Sequence, residues 1–369
     1  MIRRMAVLSN LPLRLVLLAC LVPALLGCAV VPHAPYPAKD SHVADRRLIP
    51  PDLVWTLSDG ARIPVRVWLP AMVPVDAGPV RAVVLALHGI NDSRDAWELP
   101  GPIFAGDGIA VLAPDQRGFG GTAARGHWPG TDRLVDDAAE MTRLAGAAYP
   151  GVPLFVMGES MGGAVALCLA ARPDHPPVAG FVLLAPAVWS STQMSPVMTV
   201  SLWAASTFWP DWQLTGRELP LHVTATDNTA ALYRLSYDPL TLKGTRTVAL
   251  RGLVELMTRA ASAAPRVHGP MLIAYGARDE LVPPAAMAAT WARLPGAVRR
   301  AIYPQGYHLL MRDRDRRSVI DDVAGWMIDP SQVLPSGADI AAAAWTAGAG
   351  WQTQVPAYLP AGLDSLAGR

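Results

Sequence analysis

Apolar and polar positions along the chain change rhythm several times, and the changes divide it. Residues 53–57 and 63–69 alternate apolar with polar side chains on either side of Ser58-Asp59-Gly60, so the spacing predicts a β-hairpin. Ala82 to Leu87 is apolar without interruption, and so are Ile109 to Ala113, Leu154 to Met157, Phe181 to Leu184 and Met271 to Tyr275. A strand with no polar face must be covered on both sides. Arg299 to Tyr303 reads as the last strand of the series. Thr131 to Ala148 repeats Leu134, Ala138, Met141 and Leu144 or Ala145 at helical spacing, with Thr131 or Asp132 placed to cap its start. Met161 to Ala171 reads as a second helix. Strands alternating with helices imply an α/β fold, with a mostly parallel sheet doubly wound by helices on both faces.

Two stretches lack this rhythm. Residues 190–264 carry Met194, Met198, Trp203, Phe208, Trp209, Trp212 and Met257 with no strand–helix alternation. They read as an inserted, largely helical cap over the sheet. The stretch 330–369 is rich in alanine, glycine and proline, with Ala341 to Ala344 in a row, and is expected to be a loosely packed tail. The core would then run from 52 to 189 and from 265 to 329 on either side of the cap.

The first 27 residues have the pattern of a targeting segment. Arg3, Arg4 and Arg14 give it a positive start, and Leu15 to Leu26 is almost wholly apolar but short for a membrane span. It closes on Leu25-Leu26-Gly27-Cys28, which resembles the lipobox of bacterial lipoproteins. The resemblance implies that Cys28 becomes the lipidated first residue. Ala29 stands where an inner-membrane retention signal would carry aspartate, so the expected location is the cell envelope, at the outer membrane. Residues 28–51 include Pro32, Pro35, Pro37, Pro50 and Pro51 and read as an extended tether of ~3 Å per residue.

Composition adds limits. Of 369 residues, 51% are hydrophobic, enough for a sizeable core, and the formal net charge is +1. There is no basic stripe with interleaved aromatics, so nucleic acid is not an expected partner. Of three cysteines, Cys20 and Cys28 belong to the N-terminal segment. Cys168 alone remains, in an apolar run, and reads as a buried small hydrophobe with no disulfide partner. Neither a histidine pair at ligand spacing nor a second glycine-rich phosphate loop stands out, so neither metal nor cofactor is expected.

The chemistry centres on Gly158-Glu159-Ser160-Met161-Gly162-Gly163, between an apolar strand and a helix. This G-x-S-x-G pattern is a nucleophile elbow. The serine sits in a tight turn whose neighbours must lack side chains, and the following helix points its N-terminus at any negative charge that forms there. A serine hydroxyl is a weak nucleophile and needs a base. In folds built on this elbow the acid and then the histidine follow the serine. Asp279 stands just past the strand Met271 to Tyr275, and His308 follows the strand Arg299 to Tyr303. They are the expected acid and base, with Ser160 the nucleophile. Glu280 would need a shifted loop to replace Asp279. His268 precedes its strand, at the wrong end for chemistry, and His88 reads as loop-shaping. The backbone N–H groups of Met161 and Ile90 are the expected oxyanion donors. Arg312 to Arg317 alternates charge and reads as a solvated helix start.

Taken together, His88-Gly89, Asp115-Gln116-Arg117-Gly118-Phe119-Gly120, the elbow, Asp279 and His308-Leu309-Leu310 resemble the monoacylglycerol lipase and lysophospholipase branch of the α/β-hydrolases, of the serine aminopeptidase S33 type. The resemblance covers residues 52–328. It departs from the branch at Ile90-Asn91-Asp92, where a further glycine is common. It implies a loop-shaping role for Asp115 and Arg117. It also implies a membrane-tethered serine carboxylic-ester hydrolase whose substrates are single-chain lipid esters, monoacylglycerols or lysophospholipids. The same three residues would equally serve an acyltransferase. A non-catalytic envelope binding protein of this fold is the reading from a different class.

Overall fold

The uninterrupted apolar runs form the centre of an eight-stranded sheet. The computed structural model describes residues 48–70, 80–215 and 223–347. The targeting segment, Cys28 and residues 28–47 of the tether lie outside the described residues, as does the tail beyond 347. The chain runs β1 (Leu53–Thr56), β2 (Arg62–Trp68), β3 (Ala82–Leu87), α1 (Pro100–Gly106), β4 (Ile109–Pro114), α2 (Thr131–Ala148), β5 (Leu154–Glu159), α3 (Met161–Ala170) and β6 (Gly180–Leu184). It continues with α4 (Pro196–Phe208), β7 (Gln213–Thr215), α5 (Thr229–Tyr237), β8 (Gly244–Arg246) and α6 (Thr247–Ala263). It ends with β9 (Met271–Gly276), α7 (Pro284–Trp291), β10 (Arg299–Tyr303), α8 (Arg316–Ile328) and α9 (Ala338–Ala347).

The sheet order is β1-β2-β4-β3-β5-β6-β9-β10. The strands from β4 to β10 in that order are parallel, and the hairpin β1–β2 joins β4 antiparallel. Two separate cores explain why the central strands show no polar face. Val83, Leu85 and Leu87 of β3 enter one core with residues of α2, α3, α6 and α7. Ala82, Val84 and Ala86 enter the other, with Phe104 of α1 and Val319 and Ile320 of α8. Register then sets the level of the loops. Leu87 of β3 pairs with Gly158 of β5, and Glu159 of β5 pairs with Leu184 of β6. The segments after β3, β5 and β6 therefore leave the sheet at one height.

Buried charge shapes the connections at this end. The Arg94 guanidinium meets Asp115, whose other oxygen accepts from Arg94 N–H at 2.7 Å. Asp115 also accepts from Gly121 N–H at 2.8 Å. Arg117 forks onto Asp137, with Nε to Oδ2 at 2.7 Å and Nη2 to Oδ1 at 2.9 Å. Both Asp115 and Arg117 thus hold the 115–121 loop, in keeping with the loop-shaping role.

Residues 190–264 are not one cap. The helix α6 packs against α2 and α3 in the layer flanking the sheet, because it buries Leu250, Leu253, Leu256, Met257 and Ala260 there. α4 packs on α6 in turn. β7 and β8 form a two-stranded antiparallel ribbon that the sequence pattern does not announce. The expectation of a loosely packed tail also fails for residues 338–347. There α9 lies along β10 and buries Ala341, Ala342 and Trp345. Small alanines let the helix approach the sheet edge closely. The Trp345 ring meets that of Trp291 edge-on at 4.9 Å and lies 6.0 Å from that of Tyr275. Trp345→Ala should therefore lower unfolding free energy by ~3 kcal/mol, the scale of core aromatic truncations, as read by urea denaturation. Unchanged stability would show that α9 is not part of the cooperative unit.

Candidate active site

Ser160 occupies the junction of β5 and α3 with φ 54° and ψ −114°, a conformation that side-chained residues rarely adopt. The neighbouring glycines make it feasible. A Cβ on Gly158 would lie 2.3 Å from the Gly162 carbonyl, and one on Gly162 would lie 2.2 Å from the carbonyl oxygen of Leu87. The turn is pinned from β6 and the residues after it. Ser160 N–H donates to Leu184 O at 3.0 Å, and Ala187 N–H donates to Ser160 O at 2.9 Å. The first turn of α3 consequently lies directly behind the serine.

Asp279 and His308 stand beyond β9 and β10, at the same end of the sheet as Ser160. Their loops touch backbone to backbone, since a Cβ on Gly276 would sit 2.4 Å from the carbonyl oxygens of Gly306 and Tyr307. Asp279 Oδ1 accepts from the N–H groups of Leu281 and Val282 at 2.7 and 2.9 Å. Its Oδ2 is left to accept from His308 Nδ1 at 2.8 Å, and both side chains are buried. Burial alone would lower the histidine pKa. The charge and hydrogen bond of Asp279 outweigh it, so His308 is held above its ordinary value. The structure thus brings Asp279 and His308 into contact. Among the described residues no hydrogen bond joins His308 to Ser160, a bond that often tightens only when substrate is present.

The rivals have other work. Glu280 accepts from Thr224 N–H at 2.7 Å. His88 is completely buried, with Nδ1 donating to Gly89 O at 2.7 Å and Nε2 accepting from Gln116 N–H at 3.0 Å. Burial holds its pKa down, so this ring is a neutral brace. Ile90 follows it in the expected oxyanion loop. Among the described residues neither Ile90 N–H nor Met161 N–H donates within the protein, so both donors are available. A Cβ on Gly89 would come 3.4 Å from Ser160 Cβ, which places this loop beside the serine.

The sequence pattern misses the group that ties these loops together. Arg312, expected in solvent, is buried, and its Nη2 donates to Glu159 Oε1 at 3.0 Å and to Asp92 Oδ2. A charged run beside a helix start hides a buried arginine, and only the presence of Glu159 and Asp92 in the other loops hinted at a partner. Asp313 is buried as well and accepts from Tyr307 N–H at 2.8 Å. Burial pushes its pKa up to about 7. Residues 224–228 of the insertion are stitched onto the same region. Ala225 O accepts from Leu309 N–H at 2.9 Å, Asn228 Nδ2 donates to Arg312 O at 2.8 Å, and Asp227 accepts from Arg314 N–H at 2.8 Å. Cys168 is a buried free thiol whose pKa is pushed up to about 12 by burial, as expected for an inert hydrophobe.

Known proteins resemble this chain in sequence and fold. A monoacylglycerol lipase of Mycolicibacterium smegmatis is 27% identical over 273 residues, covering 73% of this chain and 94% of the relative. A monoglyceride lipase of Mus musculus is 24% identical over 277 residues, covering 73% and 88%. Among solved structures, Paleococcus ferrophilus monoacylglycerol lipase superposes with a TM-score of 0.60 at 20% identity, covering 73% of this chain and 99% of that one. A soluble variant of monoglyceride lipase from Saccharomyces cerevisiae, in complex with a substrate analog, gives 0.63 at 20% identity, covering 80% and 98%. The profile of the family described as serine aminopeptidase, S33, matches residues 78–315, from just before β3 to just before α8. The chain is therefore an α/β-hydrolase of the S33 serine aminopeptidase family, in its monoacylglycerol lipase-like branch.

Proposed function

We propose that this protein hydrolyses carboxylic esters of single-chain lipids, monoacylglycerols or lysophospholipids, with Ser160 as nucleophile, His308 as base and Asp279 as its orienting acid. The observation that carries the reading is the buried Asp279–His308 bond at the sheet end that also presents Ser160. The lipase relatives support a carboxylic ester hydrolase, and their printed activities support the lipid class. The insertion supports it too. α4 buries Met198, Leu202 and Ala205 on one side and exposes Val197, Val200, Trp203 and Phe208 on the other. A helix that leaves several large apolar side chains exposed at the surface suits contact with lipid.

In this mechanism Ser160 Oγ attacks the ester carbonyl while His308 Nε2 takes its proton. Asp279 holds Nδ1–H and stabilises the imidazolium. The oxyanion faces Ile90 N–H, Met161 N–H and the start of α3, and each such donor is worth about 3 kcal/mol of transition-state stabilisation. His308 then protonates the leaving alkoxide, freeing the glycerol or glycerophospho group. A water deprotonated by the same nitrogen releases the fatty acid from Ser160. The N-terminal segment extends the proposal: lipid on Cys28 and the proline-rich tether would keep the domain at the outer membrane, near its substrates.

A fluorophosphonate probe should label the wild type, and Ser160→Ala should abolish labelling and lower hydrolysis by at least ~10³-fold. A folded wild type that neither labels nor hydrolyses would favour a binding protein. On a lipid panel, cleavage confined to short soluble esters would overturn the substrate class. The pH dependence has a definite sign. The base must be neutral and Asp279 raises its pKa, so kcat/KM should fall on acidification with a midpoint above the ordinary histidine value of 6.5. Asp279→Asn should move that midpoint down. The protonated form is the one favoured by folding, so its contribution to stability is full below that ordinary value and is lost as pH rises through the folded one. For the anchor, Cys28→Ser should release or misprocess the protein, as cell fractionation would show, whereas unchanged membrane attachment would refute lipidation there.

A further inference from the structure

We infer that Arg312 is a positioning residue that clamps the oxyanion loop to the nucleophile turn through Asp92 and Glu159. The inference rests on the reading of Ser160 as nucleophile. Arg312 lies four residues past His308, in a short 3-10 turn spanning Leu310–Arg312. One nitrogen, Nη2, serves two carboxylates: Glu159, the residue before Ser160, and Asp92, two residues past Ile90. All three side chains are at most 7% exposed. A single guanidinium thereby joins the loops that carry the base, the nucleophile and the second oxyanion donor.

Stability alone does not account for such a group. Removing three charges from water costs more than their mutual attraction commonly returns, and apolar replacements of buried ion clusters are often neutral or stabilising. Burial pushes Glu159 upward, and the charge of Arg312 is what opposes it. What the cluster supplies is geometry. Inside the Ile90 loop, the Gly89 carbonyl accepts from His88 Nδ1 at 2.7 Å and from Asp92 N–H at 3.3 Å, and the rest of the setting comes from other segments. Gly89 lacks a side chain, and Asn91 takes a positive φ of 64°. On one flank Asn91 is tied to the β8 region, with Nδ2 donating to Thr245 Oγ1 at 2.6 Å and its carbonyl accepting from Leu242 N–H at 2.8 Å. On the other flank Asp92 binds Arg312, and its Oδ1 accepts from Ser93 N–H at 2.8 Å. Releasing that flank would let Ile90 N–H drift from the place where the oxyanion forms. Oxyanion donors act within a few tenths of an ångström of ~2.9 Å. Binding of the ester itself does not depend on that distance, so the effect belongs in kcat.

The test uses the full chain with Asp92→Asn and Glu159→Gln, singly and combined, near-isosteric changes that leave the cavity filled. Hydrolysis of 4-nitrophenyl butyrate and the rate of fluorophosphonate labelling are measured. Each single variant should lose about tenfold or more in kcat, with KM changed by less than about twofold. Because both act through Arg312, the double variant should be scarcely worse than the poorer single one, giving strong non-additivity. Arg312→Met should match the double variant; if it does not fold, the Asn and Gln cycle decides alone. Additive losses, losses confined to KM, or retained kcat in a labelling-competent protein would overturn the role of Arg312 and leave that of Ser160 intact. A folded wild type that neither labels nor hydrolyses would overturn the reading of Ser160 and this inference with it.

Discussion

Everything at the functional end of this molecule depends on an approach that leaves no room for a side chain. Gly162, in the first turn of α3, lies against the carbonyls of Leu87 and His88, where a Cβ would be 2.2 Å and 2.8 Å from their oxygens. That contact lets α3 start hard against β3, and so forces Ser160 into its positive φ. It also brings the loop after β3 to the serine. The parallel register of β3 with β5 supplies the level, and the glycines supply the distance. With any larger residue at 158 or 162, the helix would have to retreat, and the serine, the proposed oxyanion donors and the helix N-terminus would separate together.

Two fully buried histidines show how environment, not residue type, assigns roles here. Burial disfavours the charged form of both. The His88 ring is hydrogen-bonded by a backbone carbonyl and a backbone N–H, and burial prevails over the charges of Asp92 and Asp115, so the ring stays neutral. His308 meets a carboxylate whose other oxygen is already held by two N–H groups, and the balance reverses. A neutral donor–acceptor ring suits a brace that must not change with pH. A ring readily charged in place suits the proton transfer proposed for His308.

Much of this was legible in the sequence, and for physical reasons. Strands covered on both faces leave continuous apolar runs, and all the strands of the main sheet fall within a residue or two of those runs and the hairpin pattern. The elbow is legible because its geometry excludes side chains, and Asp279 and His308 because parallel strands end at one edge. What was not legible depends on contacts between distant segments. Arg312 looks solvated beside its own neighbours and is buried only because residues 92 and 159 meet it. The alanines of α9 look like a slack tail and pack only because β10 offers an edge with Trp291 and Tyr275 nearby. α6 has the tryptophan-rich segment before it and was grouped with that segment, although its apolar face matches α3.

The same long-range contacts change what the insertion is. Its first part is secured to the flanking layer, through α4 on α6 and the Ser191 N–H bond to Thr258 Oγ1 at 2.9 Å. Its second part is bonded to the edge of the site, to Glu280 beside Asp279 and to the residues just after His308. The bonds to Leu309 N–H and Arg312 O satisfy backbone groups of buried residues past β10 that would otherwise be left open. The loops beyond β9 and β10 are short and joined backbone to backbone at Gly276 and Gly306, and Asp279 and Asp313 hold them from within through the N–H groups of Leu281, Val282 and Tyr307. Residues 224–228 add bonds from outside, at Leu309, Arg312 and Arg314. The insertion is thus structural support for the segment that carries His308.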